Sequence, residues 1–218
     1  MPKITAAHEQ QRRAQILQAA MACFARQGYH ATSMDDVVRQ SGLSVGAIYT
    51  YFNSKEELFL SLCEYRTEQT LVYLNDVFRT PGPMVDKFEQ GIEYFFQQLS
   101  DDLIPLARVS VEFLSEATKS ERVKERQERR CDTIRQFLRW LLTEARADGT
   151  IRPDLDLDAA VELMMALNEG IVLMSVAGLR QVSLERLKPA YMALLNAGLS
   201  TPEHPIFTLN GANPKGGS

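Results

Sequence analysis

The sequence predicts an all-α protein of about nine helices, with an N-terminal three-helix helix-turn-helix domain and a larger helical domain after it. Three observations carry this expectation. Apolar residues recur at three- and four-residue spacing along almost the whole chain, and no stretch alternates with the two-residue period of a half-buried strand. Ser residues stand where helices would start, and Gly where they would stop. Near the N-terminus, two short helical stretches flank a Gly-containing turn and follow a longer helix, the layout of a helix-turn-helix.

The first helix is expected over 10–27. Ile16, Ala20 and Phe24 recur every four residues with Leu17 alongside, forming one apolar stripe, and Gly28 occupies the stop position. Ser33, followed by Met34, Asp35 and Asp36, reads as a helix start: Ser33 caps, and two carboxylates favour the positive end of the helix dipole. This second helix is short, over 34–40, with Val37 and Val38 turned inward. Ser41-Gly42-Leu43 makes the turn. Ser44 caps a third helix that runs to Tyr51 with Ile48 as its buried anchor. Ser54-Lys55-Glu56-Glu57 has the spacing of a capping box and starts a longer fourth helix, with Leu58, Leu62, Tyr65 and Val72 at its apolar positions.

Thr80-Pro81-Gly82-Pro83 is the clearest break in the chain. Helical patterns follow over 84–99, 103–118, 120–147 and 156–178, with a last one between 183 and 199. Pro105 falls near enough to a helix start to be accommodated, whereas Pro189 predicts a kink or a late start. The run 119–130 (KSERVKERQERR) reads as a solvated helix face laced with i,i+4 charge pairs. The expected domains are 8–54, the helix-turn-helix; 55–200, the helical body; and 201–218, a tail rich in Gly and Pro that is expected to be loose.

Composition narrows the functional classes. Cys23, Cys63 and Cys131 lie far apart with no CxxC pair, which argues against a disulfide framework. Three histidines without an HxxxH or Cys/His cluster offer no zinc site, so no metal or cofactor is expected. No nucleophile–base signature or phosphate loop points to an enzyme. No signal peptide is expected, and the apolar segment 159–179 carries Glu162, Asn168 and Glu169, which predict a buried packing helix rather than a membrane span. The net charge is −4, yet through Glu56 six cations face four anions. A mildly basic head on an acidic body suits a protein that touches phosphate with one end.

In a helix-turn-helix the second helix of the pair lies in the DNA major groove. Here Gly46 and Ala47 would let the backbone approach closely. Tyr49 and Tyr51 carry hydroxyls on rigid stems that can reach phosphate, and Thr50 offers a methyl or a hydroxyl. Lys55, at the start of the next helix, can join backbone N–H groups in holding a phosphate. The same local pattern also suits a plain helical hairpin in which Tyr49 and Tyr51 are core aromatics with wet hydroxyls.

The stretch 13–60 strongly resembles the N-terminal DNA-binding domain of the TetR family of bacterial transcriptional regulators. The resemblance runs through Phe24-Ala25-Arg26-Gln27-Gly28-Tyr29, Thr32-Ser33, Ser41-Gly42-Leu43-Ser44, Gly46-Ala47-Ile48-Tyr49-Thr50-Tyr51-Phe52 and Ser54-Lys55-Glu56-Glu57-Leu58. It implies a homodimer whose N-terminal domains bind adjacent major grooves of a palindromic operator in double-stranded DNA. Tyr49 and Lys55 fall at the family's phosphate-contacting positions, and Val45, Gly46, Thr50 and Tyr51 where members read bases or nearby backbone. With Ser33, Arg39, Ser44 and Ala47 these make the expected DNA-binding set. One departure stands out: the recognition helix has no Arg, Lys, Asn or Gln, the strongest base readers. Specificity is then expected from thymine-methyl contacts, main-chain approach and DNA shape, helped by Arg39 or Gln40.

The resemblance also implies a small-molecule pocket in the body and dimerisation through the last two long helices, over 156–178 and 183–199. Ala159, Ala160, Ala166 and Gly170 give these helices small residues suited to cover on several sides. Phe95, Phe96, Phe113, Trp140, Met164 and Met165 are candidate ligand contacts, although plain core packing is the favoured account of any one of them. Glu112, Asn168 and Glu169 are polar groups within apolar runs. A ligand, a cap, a dimer partner or solvent could satisfy them. The expected function is a ligand-responsive cytoplasmic transcriptional regulator, a repressor released by a small-molecule effector, with no membrane partner. The alternative is a small-molecule-binding helical protein whose N-terminal motif makes protein contacts.

Overall fold

The computed structural model describes residues 6–99, 107–111, 120–180 and 183–200. The protein is all-α. The helices are α1 Ala6–Ala31, α2 Met34–Ser41, α3 Val45–Tyr51, α4 Lys55–Arg79, α5 Met84–Gln98, α6 Glu121–Ala147, α7 Leu157–Val176 and α8 Leu184–Leu199. Residues 107–111 are helical as well, and no strand occurs among the described residues, where one antiparallel bridge joins Ile151 to Ser200. The described helices fall into two compact units. The first holds α1–α3, α4 through Thr70, 107–111 and α6 through Asp132; the second holds the rest of α4 and α6 with α5, α7 and α8.

In the first unit the expected stripe of α1 forms the core: Ile16, Leu17, Ala20 and Phe24 are fully buried. They pack with Val37, Ile48, Phe52, Leu58, Phe59 and Leu62, and Phe24 meets Phe59 edge-on at 5.4 Å. Gly28 has φ +79, a conformation that favours glycine, and breaks the helical path before α1 closes at Ala31. Val72 departs from expectation: α4 buries Leu58, Leu62 and Phe78, but Val72 is exposed. The start of α4 also differs from a simple capping box. Ser54 Oγ accepts from Glu57 N at 3.1 Å, but the Glu57 carboxylate accepts from Asn53 N at 3.0 Å and from the Asn53 amide instead of reaching back to Ser54.

The charged run at the start of α6 is two-faced rather than wholly solvated. Val123 is buried in the same core as α1–α4, together with Val109. Arg122 donates to Glu56 at 2.8 Å, while Arg126 pairs with the Glu64 carboxylate (Nε–Oε1 2.7 Å) and donates to Ser61 Oγ at 3.2 Å. The opposite face carries the expected exposed pairs, Lys124 with Glu121 and Glu128, and Arg129 with Glu125.

In the second unit, Phe78 meets Phe88 and Phe137 edge-on at 5.6 and 6.2 Å. Pro189 stands inside α8, which begins five residues before it, so the helix does not start late. Asp156 caps α7 by accepting from Asp158 N and Ala159 N. The expectation that this segment is a buried packing helix needs correction. Leu157, Ala160, Val161, Met164 and Ile171 are buried, but only 22% of the most apolar window of α7 is covered by the chain itself. Leu163, Leu173 and Met174 are exposed along its other side. Length and apolarity alone would let α7 cross a membrane. Asp158 and Glu162, however, are ion-paired to Arg139 and Arg135 of α6.

Candidate nucleic-acid interface

The helix-turn-helix is built from local polar contacts over a shared core. Ser33 Oγ accepts from Asp36 N at 3.1 Å, and the Asp36 carboxylate accepts from Ser33 N at 2.8 Å and from the Ser33 hydroxyl at 2.7 Å. Gln27 donates to the same carboxylate at 3.1 Å, and Arg39 pairs with it. These hydrogen bonds, those from Ser33 above all, hold the Asp36 carboxyl down to about 2. At the far end of α2, Gly42 adopts φ +68 and returns its N–H to Val38 O at 3.2 Å, a left-handed helix end that suits glycine. Gln15 of α1 donates to Ser41 O at 2.9 Å, and Leu43 N donates to Ser41 Oγ at 3.2 Å. Ser44 then caps α3 by accepting from Ala47 N at 3.2 Å. Polar groups at both ends of the turn thus have partners within the chain, which fixes the path from α2 into α3.

Ile48 and the C-cap residue Phe52 anchor α3 with no exposed surface. Its outer face presents Ser44, Val45, Gly46, Tyr49 and Thr50, with Val45 50% and Tyr49 45% exposed. Ala47 is half-buried, and Tyr51 is half-buried against the core rather than fully offered outward. The Thr50 hydroxyl donates to Gly46 O at 2.9 Å, so its methyl and lone pairs remain for a partner. Gly46 is informative. A Cβ built there would meet nothing within 4 Å, and its backbone lies outside the left-handed region. Nothing within the described chain demands a glycine, although one inside a helix costs about 1 kcal/mol.

Lys55, the expected phosphate contact, is also held within the chain. Its ammonium donates to Tyr29 O at 2.8 Å and His30 O at 3.2 Å and lies 4.6 Å from the centre of the Tyr29 ring. Burial there pulls its pKa below the ordinary lysine value. Two of its three N–H groups are thus committed to the end of α1, leaving one for a phosphate. Ser33 and Arg39 are exposed, and Arg39 is tied to Asp36.

The family described as "Bacterial regulatory proteins, tetR family" matches residues 16–62, and that described as "BetI-type transcriptional repressor, C-terminal" matches residues 87–200, more than half of the chain. The chain belongs to the TetR family. It is similar to the uncharacterised HTH-type transcriptional regulator YfiR of Bacillus subtilis, 30% identical over 177 residues that span 78% of this chain and 83% of that protein. The fatty acid metabolism regulator protein of Bacillus subtilis is 26% identical over 188 residues, 85% of this chain and 94% of that protein. Among solved structures, Salmonella enterica GusR matches with a TM-score of 0.63 and 29% identity, covering 88% of this chain and 98% of that one. FadR of Bacillus subtilis in complex with stearoyl-CoA shares the fold, with a TM-score of 0.70, 24% identity and coverage of 85% and 98%. This TetR-family protein is therefore a transcriptional regulator with a DNA-binding helix-turn-helix, and its relatives are named as regulators rather than enzymes.

The expected ligand contacts of the TetR-family body are distributed as follows. Phe96 and Met164 are buried, Phe95, Trp140, Met165 and Asn168 are half-buried, and Glu169 is exposed. Glu112 and Phe113 lie outside the described residues. Phe95 and Phe96 gather around Tyr191 of α8, with ring centres 6.2 and 5.6 Å from it, and the Tyr191 hydroxyl donates to Asn168 Oδ1 at 2.8 Å. Burial pushes the Tyr191 phenol up to about 12. Asn168 therefore finds a partner within the chain. Tyr191 escaped the sequence reading; its only signal is an aromatic at a helical interval before Leu195. Trp140 packs on Phe137 at 5.7 Å, with the Arg79 guanidinium 5.7 Å from its ring centre.

Proposed function

We propose that this TetR-family regulator is a repressor that binds a palindromic operator as a homodimer and is released by a small-molecule effector. The observation that carries the reading is the outer face of α3: a Gly46 that the fold does not require, beside exposed Val45, Tyr49 and Thr50 on a buried anchor. A partner backbone that approaches closely explains such a glycine, and the edge of a major groove is such a partner. The DNA-contacting residues are then Ser33, Arg39, Ser44, Val45, Gly46, Ala47, Tyr49, Thr50, Tyr51 and Lys55. The division of labour is 8–54 for DNA and 55–200 for effector and dimer, and the site of action is the cytoplasm.

Dimerisation is proposed through α7 and α8. Leu163, Leu173, Met174 and Leu194 form exposed apolar surface that a second copy would cover, and Gly170, whose Cβ position is open, would let that copy approach closely. A C₂ pair of this kind sets the spacing of the two recognition helices, about 34 Å or a multiple of it. For the effector, long-chain acyl-CoA is the first class to test, because a relative of the same fold is solved with stearoyl-CoA and the body is rich in aromatic surface.

The test is selection of the full chain from random duplexes at about 0.15 M salt, where non-specific binding is suppressed. A palindrome should be enriched, and stearoyl-CoA should release it; by linkage, operator and effector must weaken one another by the same factor. Enrichment of no palindrome would overturn the reading. Release by a different class of small molecule would change the effector and keep the repressor.

A further inference from the structure

We propose that Arg13 and Arg12 of α1 form a phosphate-gripping pair at the DNA interface, supplying charge that the recognition helix lacks. The inference rests on the reading of α2–α3 as the DNA-binding pair. A protein that holds a duplex at physiological salt must set cations against phosphates. Helix α3 contains none, Arg39 is paired with Asp36, and Lys55 is largely committed to the end of α1.

Arg13 is placed otherwise. Its guanidinium carbon lies 4.9 Å from the centre of the Phe52 ring, and Phe52 is the C-cap of α3. A guanidinium held against a ring spends no hydrogen bond on it, so its N–H donors remain available. Arg13 is exposed, and no carboxylate pairs with it among the described residues, Glu9 one turn earlier included. Phe52 is fully buried and therefore a rigid support, so the Arg13 guanidinium is held beside the exit of the recognition helix while the residue as a whole stays exposed.

Arg12 is placed by a second, independent contact. It donates to Gln15 Oε1 at 3.2 Å, and Gln15 in turn donates to Ser41 O, the last residue of α2, at 2.9 Å. It too has no ion pair among the described residues. One guanidinium is thus tied to the end of α3 and the other, through Gln15, to the end of α2. Two cations carried by the bracing helix and fixed to both members of the pair are suited to grip the sugar-phosphate strand bordering the groove that α3 enters. Such contacts position a protein on DNA without reading sequence.

The test measures operator affinity of the full chain against salt for wild type, Arg13→Met, Arg13→Lys and Arg12→Ala. Met keeps apolar cover over Phe52, so the variant removes charge rather than packing. The expected result is a slope of log affinity on log salt that falls by about 0.9 for each lost phosphate contact, as it does on B-form DNA. Arg13→Lys should keep the wild-type slope, and preference for the operator over a scrambled duplex should not change. An unchanged slope in Arg13→Met and Arg12→Ala overturns the proposal, as does weaker binding that tracks a lowered melting temperature at constant slope, because Arg13 would then be only a cover for Phe52. If the wild type itself binds no palindrome, the underlying DNA reading falls, a failure the wild-type measurement alone identifies.

Discussion

Helices α3 and α7 both leave one side uncovered, and the chemistry of the two sides is opposite. The seven residues of α3 are capped by Ser44, closed by Phe52 and anchored by Ile48, and their outer face mixes glycine, hydroxyls and exposed Val45 and Tyr49 without any charge. The twenty residues of α7 show solvent Leu163, Leu173 and Met174 along with small Ala159 and Ala166, and half-buried Gly170. We propose that the first surface meets DNA and the second a copy of the chain. The comparison also says what holds each helix. α3 is fixed by the core behind it, whereas α7 has one stripe buried and the other exposed.

The sharpest way to break this contrast is to remove the support under α3. Phe52→Ala should cost about 3–5 kcal/mol, the usual range for a buried Phe, read by urea unfolding of the full chain. A cost below about 1 kcal/mol would mean that the core does not hold the recognition helix.

The next test addresses α7. Leu163→Glu combined with Leu173→Glu places charge on the apolar stripe, where each leucine would otherwise add about 1.5–3 kcal/mol when covered. The dimer dissociation constant should rise by at least about 100-fold by sedimentation, with helical content by circular dichroism unchanged. A pair of substitutions that unfolded the chain, or left association untouched, would break the assignment of that stripe to a second copy.

The difference between the two helices also explains which features could be read in the sequence. Ser33, Gly42, Ser44, Ile48 and the Ile16–Leu17–Ala20–Phe24 stripe act through neighbours within a few residues or one helical turn, so spacing and residue type suffice to place them. Several features that the spacing does not show depend on partners far along the chain. Lys55 finds its carbonyls 26 and 25 residues away, Tyr191 finds Asn168 at a separation of 23, and Arg126 reaches Glu64 across 62. Val123 sits in a run so charged that its one apolar residue carried no period, yet that residue joins the helix-turn-helix core. At Ser54 the local rule itself was contested, because Asn53 offered the Glu57 carboxylate two donors where a capping box offers one.

Lys55 gives a smaller effect that separates support from recognition. Lys55→Met keeps the stem over Tyr29 and removes the charged donors to Tyr29 O and His30 O. Stability should fall by about 1–2 kcal/mol, in the range for hydrogen bonds to a charged group at a partly exposed site. If operator affinity drops without any loss of stability, Lys55 is a phosphate contact first and a clasp for α1 second.

The smallest effect comes from the box that starts α2, and it carries a pH signature. Ser33→Ala removes the acceptor for Asp36 N and should cost about 1 kcal/mol of stability at neutral pH. The Asp36 carboxyl is held down to about 2 in the folded chain against its ordinary 3.8, mainly by the Ser33 hydroxyl and N–H. A depressed carboxyl pKa means that the folded state binds its proton less readily than the unfolded state, so the contribution is fully present above about pH 4. It fades as pH falls from there towards about 2, where both states become protonated. Wild type should therefore lose stability through that window more steeply than Asp36→Asn, which has no carboxyl to titrate at this position. Ser33→Ala should also flatten the acid limb, since it takes away the largest cause of the shift. Equal acid slopes in all three chains would assign the box a geometric role alone, with α2 held by Val37 and the turn at Gly42 rather than by charge at its start.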